Sequence, residues 1–278
     1  MQEKIYTVHN VRLTSLYIAR QKNPLNVVLL PGGPGMGAEY LKKLAHLMPP
    51  ICSTWLVDLP GNGNHRVDQN IDYEMWPDYL EDIFAHLSNV VLVGHSYGGI
   101  LILLNPKLDA LAKGLMIISS RPKEISAADK LNYKANTEFS ELMKAYNFNP
   151  SDHLLKAAII AATDLYFTKE HLEEGATLLK ETSYAHEAYH LRSLPLYKNY
   201  QAQFVPTCPT LILSGDVDWV CPLKYFQSDE RFKRDHIDMV EIHGANHFPW
   251  IDNPQDTLTA LSHWIYKIQF VLDKPFSK

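Results

Sequence analysis

The chain is short of cysteine: Cys52, Cys208 and Cys221 are its only three among 278 residues, an odd count with no C-x-x-C spacing. That excludes a disulfide framework and a thiolate metal cage. It also lacks a basic excess, with 26 Lys and Arg against 31 Asp and Glu and a formal net charge of −5. The cluster Arg231, Lys233, Arg234 is interrupted by Phe232 and followed by Asp235, so no stripe fits a nucleic-acid backbone. Long apolar runs are missing too. The longest, Ile100 to Leu104, is far short of a bilayer span, so no membrane partner is expected. The opening MQEKIYTVHNV has no basic stretch followed by an apolar one, which sets the expectation of no signal peptide and a cytoplasmic protein. No internal repeat or low-complexity segment occurs. What remains is 46% hydrophobic and 21% charged, the composition of a globular chain able to bury a sizeable core.

Within it, short β-rich apolar runs alternate with amphipathic stretches, the pattern of βαβ units around a mostly parallel sheet. Ile5 to Arg20 predicts two edge strands. NVVLL (Asn26 to Leu30) predicts a buried strand ending in the loop PGGPGMG. A helix over Ala38 to Leu47, a strand over Thr54 to Val57, a helix over Tyr73 to Leu87 and a strand over Val90 to Val93 follow. A short apolar helix stopped near Pro106 and a strand over Gly114 to Ser119 complete this half. From about 123 to 205 only helical periodicity is legible. Strands resume at Pro209 to Leu213 and Met239 to Ile242, before an amphipathic helix after Pro254. The expected organisation is a core of residues 1–122 and 206–278 with a helical insertion, 123–205, serving as a lid.

Gly94-His95-Ser96-Tyr97-Gly98-Gly99 fits G-x-S-x-G between a strand and an apolar helix. A strand-to-helix turn this sharp needs small residues two before and two after the serine, and it lifts the hydroxyl above the strand ends. It also points the next helix's positive end at the reacting oxygen. A glycine-rich structural turn is the plainer reading, but the flanking elements favour a nucleophile.

At these residues the chain resembles the α/β-hydrolase family, in landmark order over nearly its whole length. Leu30-Pro31-Gly32-Gly33-Pro34-Gly35 is similar to the H-G-G-P-G loop of proline iminopeptidases, with Pro31 in place of the histidine. The resemblance implies an α/β-hydrolase fold and an oxyanion hole from the backbone N–H groups of Gly33 and Tyr97. It also assigns Asp58-Leu59-Pro60-Gly61-Asn62-Gly63 to a supporting turn. Asp216 and Asp218 both follow the late strand, and the family's G-x-x-D-x-x-x-P spacing selects Asp218. His243 and His247 both follow the last strand; the family's base lies in the loop beyond it, which selects His247. GANHFPW is similar to the corresponding peptidase segment. The implied triad is Ser96, Asp218 and His247, with His247 taking the serine proton and Asp218 orienting it. His95 reads as structural. No metal or organic cofactor is implied.

The inserted segment carries a competing pattern. His186-Glu187-Ala188-Tyr189-His190 is H-E-x-x-H, the zinc-protease spacing, on a helix that would place both imidazoles on one face. No third ligand follows at the required distance, and a polar helix face is the plainer reading. By resemblance, Glu187 is instead a candidate for holding a substrate's free α-amino group, although no tryptophan occurs between Trp76 and Trp219 where the peptidases have several. The expected function is therefore hydrolysis of a small ester, amide or short peptide through an acyl-enzyme, proline iminopeptidase-like. A carboxylesterase or lipase-like hydrolase is the alternative, and a non-catalytic ligand binder and a zinc protease stand behind it. The sequence leaves oligomeric state open.

Overall fold

The computed structural model describes residues 3–67, 70–124 and 136–272. Its centre is an eight-stranded sheet: β1 (Lys4–Val8), β2 (Val11–Tyr17), β3 (Leu25–Leu30), β4 (Cys52–Asp58), β5 (Val90–His95), β6 (Gly114–Ile118), β7 (Thr210–Gly215) and β8 (Ile237–Ile242). The order is β1-β2-β4-β3-β5-β6-β7-β8. β2 runs antiparallel to β1 and β4, and from β4 to β8 every pairing is parallel. This is the α/β-hydrolase fold, with a mostly parallel sheet flanked by helices.

The near-continuous apolar strands exist because both faces of a parallel sheet are covered. Successive residues alternate between two cores. Val27, Leu29, Val91, Val93 and Met116 join one, together with Leu261, Trp264 and Ile268 of the C-terminal helix Pro254–Leu272. Val28, Leu30, Leu92 and Ile117 join the other, with α1 (Tyr97–Leu104). All eight residues of α1 are buried. A helix so short, with glycines at its second and third positions, is marginal by itself. Burial holds it in place, each fully covered Leu or Ile contributing roughly 1.5–3 kcal/mol.

The chain passes from β3 to β4 on one side and returns to β5 on the other. The strand order thus reverses at the carboxyl ends of β3 and β5, and a crevice opens there. The PGGPG loop follows β3 and the serine turn follows β5, so both stand at its edge.

The helix expected over Tyr73 to Leu87 is interrupted. A 3-10 turn at Tyr73–Met75, a helical turn at Trp76–Tyr79 and a second at Asp82–His86 replace it. Pro77 has no N–H to donate to Tyr73, whose carbonyl accepts the Tyr197 hydroxyl at 3.0 Å. Between β6 and β7 the described residues carry helices, chiefly α2 (Thr137–Phe148), α3 (Asp152–Ala161) and α4 (Leu172–Glu181). Asn136 caps α2 through the N–H of Phe139 at 2.8 Å, and Ser151 caps α3 through Leu154 at 3.2 Å. The segment is tied back to the glycine loop by Gly37 N–H to the Ser183 carbonyl and Ala185 N–H to the Gly35 carbonyl, 2.9 and 2.8 Å. Among the described residues no helix is long and apolar enough to cross a membrane.

Candidate active site

Ser96 stands between β5 and α1 at φ 51°, ψ −113°, a conformation that L-residues rarely adopt. Packing forces it. A Cβ on Gly94 would meet the backbone of Gly98 and Gly99 at 2.5 Å, and one on Gly98 would meet the carbonyl oxygens of Leu30 and Pro31 at 2.7 and 2.8 Å. Ser96 N–H donates to the Ile118 carbonyl at 2.8 Å, anchoring the turn on β6.

The glycine loop lies against this turn: a Cβ on Gly32 would come within 3.0 Å of the Ser96 Cβ. Gly33, at φ 117°, takes a conformation open to glycine. Its neighbours' donors are occupied. Gly32 N–H donates to the Tyr40 hydroxyl at 2.5 Å, and Gly35 N–H to Asn62 Oδ1 at 3.1 Å. Asn62 Nδ2 returns a bond to the Met36 carbonyl at 2.7 Å, and Asp58 accepts Ala38 N–H at 2.9 Å. The DLPGNG turn therefore holds the glycine loop from behind.

Two Asp–His pairs sit side by side after β7 and β8. His247 Nδ1 meets Asp218 Oδ2 at 3.0 Å with both side chains buried, whereas His243 pairs with Asp216 at 2.7 Å and is 92% exposed. Asp218 Oδ1 also accepts N–H from Val220 and Cys221, both at 2.9 Å. Burial by itself would raise the Asp218 carboxyl; the charge and hydrogen bond of His247 and the Cys221 N–H outweigh it and hold the group below its ordinary range.

Ser96, His247, Gly33 and Tyr97 all line one cavity of about 870 Å³. Cys221 lines it too, but burial pushes its thiol up to about 12, so it stays protonated and a poor nucleophile.

His95 joins these loops. Its Nε2 meets the His247 carbonyl at 3.0 Å, so that nitrogen carries the proton, and Nδ1 accepts from the Tyr40 hydroxyl at 2.8 Å. Burial, reinforced by His247, pushes the ring well below 6.5, which keeps it neutral and the direction of the chain fixed. One run of donors thus leads from Gly32 through Tyr40 and His95 to the loop that carries His247. Tyr40 was invisible in the sequence because its partner lies 55 positions away. Tyr40→Phe would orphan two buried groups at about 1–3 kcal/mol each. The expected result is a fall in Tm of order 10 °C. A thermal melt matching wild type would show that the chain of bonds does not support the fold.

Glu187 is not among the cavity-lining residues. Its half-exposed carboxylate pairs with Arg66 at 2.9 Å, and Arg66 also binds Asp152 at 2.5 Å and the Tyr184 carbonyl at 2.8 Å. Nor do the two imidazoles of HEAYH act together. The helix is the single turn His186–Tyr189, and a 3-10 turn begins at His190. His186 bonds Asp152 at 2.8 Å, while His190 stacks on Tyr146 beside the cavity. Among the described residues, the one group of three with metal-ligand spacing is Asp152, His186 and Glu187, without His190. The Arg66 guanidinium already bonds two of those three.

A family model described as the alpha/beta hydrolase family matches residues 27–260. No curated protein matches the chain significantly. Solved structures do. A thermophilic esterase from Thermogutta terrifontis superposes with a TM-score of 0.72 at 19% identity, over 96% of this chain and 99% of its own. An alpha/beta fold family hydrolase from Bacillus anthracis str. Sterne gives 0.71 at 16% identity, over 96% and 99%. An esterase from Rhodococcus sp. ECU1013 gives 0.69 at 16% identity, over 96% and 100%. At such identities these likenesses speak to the fold.

Proposed function

Because the chain belongs to the alpha/beta hydrolase family, we propose that it is a serine hydrolase of carboxylic esters, with Ser96 as nucleophile and His247 as general base. The observation that carries this reading is the buried Asp218–His247 pair opening on the cavity that Ser96 also lines. His247 takes the Ser96 proton as Oγ attacks the ester carbonyl, and Asp218 stabilises the resulting imidazolium. The oxyanion rests on the N–H groups of Gly33 and Tyr97, each worth roughly 3–4 kcal/mol by analogy with measured oxyanion donors. The acyl–oxygen bond then breaks, and the alkoxide leaves with the proton from His247. Water, deprotonated by the same imidazole, releases the acid and restores the hydroxyl.

Of the lid expected at 123–205, residues 125–135 lie outside the described ones; the rest serves as the lid, contributing Met143, Leu155, Tyr166 and Tyr184 to the cavity wall. An ester suits this cavity better than a peptide with a free amino terminus. The carboxylate proposed to hold such an amine, Glu187, is paired with Arg66 and off the cavity wall.

The test combines fluorophosphonate labelling with turnover of p-nitrophenyl esters and aminoacyl arylamides. Labelling, with the best ester reaching a kcat/KM on the order of 10^4 M−1 s−1 or more, is expected. Arylamides cleaved faster than any ester would return the peptidase reading. Neither labelling nor turnover would leave a ligand binder on the same scaffold.

A further inference from the structure

The chain as a whole is acidic, at −5, yet its cavity is not. Among the described lining residues three are permanent cations, Arg121, Arg192 and Lys198, against the one carboxylate of Glu124. A cleft of one sign within a low-dielectric wall focuses its field on whatever enters. The same cavity wall carries apolar Met36, Leu155, Ile159 and Leu179.

Tyr97 lines the cavity, and its buried hydroxyl faces that of Tyr197, whose ring lies 5.3 Å away and whose own proton goes to the Tyr73 carbonyl. Arg121 is mostly buried and incompletely satisfied. Among the described residues, one arm binds Glu124 at 3.0 Å, the other reaches only the Cys221 sulfur at 3.9 Å, and Nε has no partner. A thiol is a weak acceptor for a guanidinium. Arg192 is held over the Tyr189 ring, 4.8 Å from its centroid, and also donates to the Tyr189 hydroxyl. Among the described residues neither Arg192 nor Lys198 forms an ion pair with a carboxylate. Two guanidinium groups therefore line one cavity whose described lining holds a single carboxylate, Glu124, already paired with Arg121. The group that fits is a planar anion able to take forked N–H donors.

We propose that the cavity takes esters bearing a second, ionised carboxylate, which is held by Arg121 and Arg192 while the apolar lining receives the remaining chain. The inference rests on Ser96 being the nucleophile, and it names the substrate class of that same site. A monoester of a dicarboxylic acid is the simplest member. Lys198 and Arg192 at the exposed rim draw it in.

Binding separates this inference from the reading it rests on. The Ser96→Ala protein, which cannot turn substrate over, is titrated calorimetrically with monomethyl glutarate and with neutral methyl valerate. The charged ester is expected to bind at least about tenfold more tightly, the worth of one charge-assisted pair. That advantage is expected to shrink from about 0.01 M to about 1 M salt, as the screening length falls from about 30 to about 3 Å. Arg192→Gln is expected to lower the charged-to-neutral ratio roughly tenfold, and Arg192→Lys to restore part of it. Equal binding of the two esters, or an Arg192→Gln loss shared equally by both, would overturn the inference even where fluorophosphonate labels wild-type Ser96. Absence of that labelling would strike the hydrolase reading instead, whatever the calorimetry showed.

Discussion

Replacing Ser96 with alanine is expected to remove fluorophosphonate labelling entirely and to lower ester turnover by a factor on the order of 10^4 to 10^6. The size follows from the chemistry: no other side chain proposed for the reaction can form the acyl bond. The Cys221 thiol is protonated, and His247 without a nucleophile can at best activate water. The substitution leaves the turn intact. The Ser96 N–H to Ile118 bond involves backbone alone, and alanine meets the same positive φ that serine tolerates. Tm is therefore expected to hold or rise slightly, as it does when a strained site loses a polar group that served activity. Turnover that survived Ser96→Ala, with Tm unchanged, would sink the proposed mechanism.

Asp218→Asn is expected to cost on the order of 10^4 in kcat with little change in fold. Here the structure dictates the direction of failure. Oδ1 accepts two backbone N–H groups, from Val220 and Cys221, so the amide oxygen of asparagine must take that place. Its NH2 then faces His247 Nδ1, where Oδ2 now stands at 3.0 Å. Two donors cannot meet. Nδ1 gives up its proton, the other tautomer follows, and Nε2 arrives at the serine already protonated, unable to act as a base. Asp216→Asn is the control. Its pair with the exposed His243 is worth at most about 1 kcal/mol and has no route to the cavity, so kcat is expected to stay within about twofold. Equal losses at 216 and 218 would remove the distinction between the two pairs.

Much of this was legible in the chain because it rests on neighbours in sequence. Gly94, Gly98 and Gly99 flank Ser96 closely enough that steric exclusion alone announces the turn, and the buried parallel strands announce themselves by unbroken apolar runs. The Tyr73 to Leu87 helix was misjudged for an equally local reason: its apolar period was stronger than the single interruption at Pro77 suggested. Glu187 was misplaced for a different one. Helical spacing puts it beside His186 and His190, but nothing near it in sequence shows that Arg66, 121 positions away, draws it off the cavity wall.

The sequence by itself determined the βα alternation, the sharp serine turn and a short slate of acids and bases, since each depends on backbone sterics or hydrophobic period within a few residues. Only the tertiary structure decided which aspartate meets which histidine, how Tyr40 and His95 lock the glycine loop to the His247 loop, and which cations line the cavity. Those outcomes depend on directional contacts of 3 to 5 Å between side chains that the chain order keeps far apart, and register and packing alone bring them within reach.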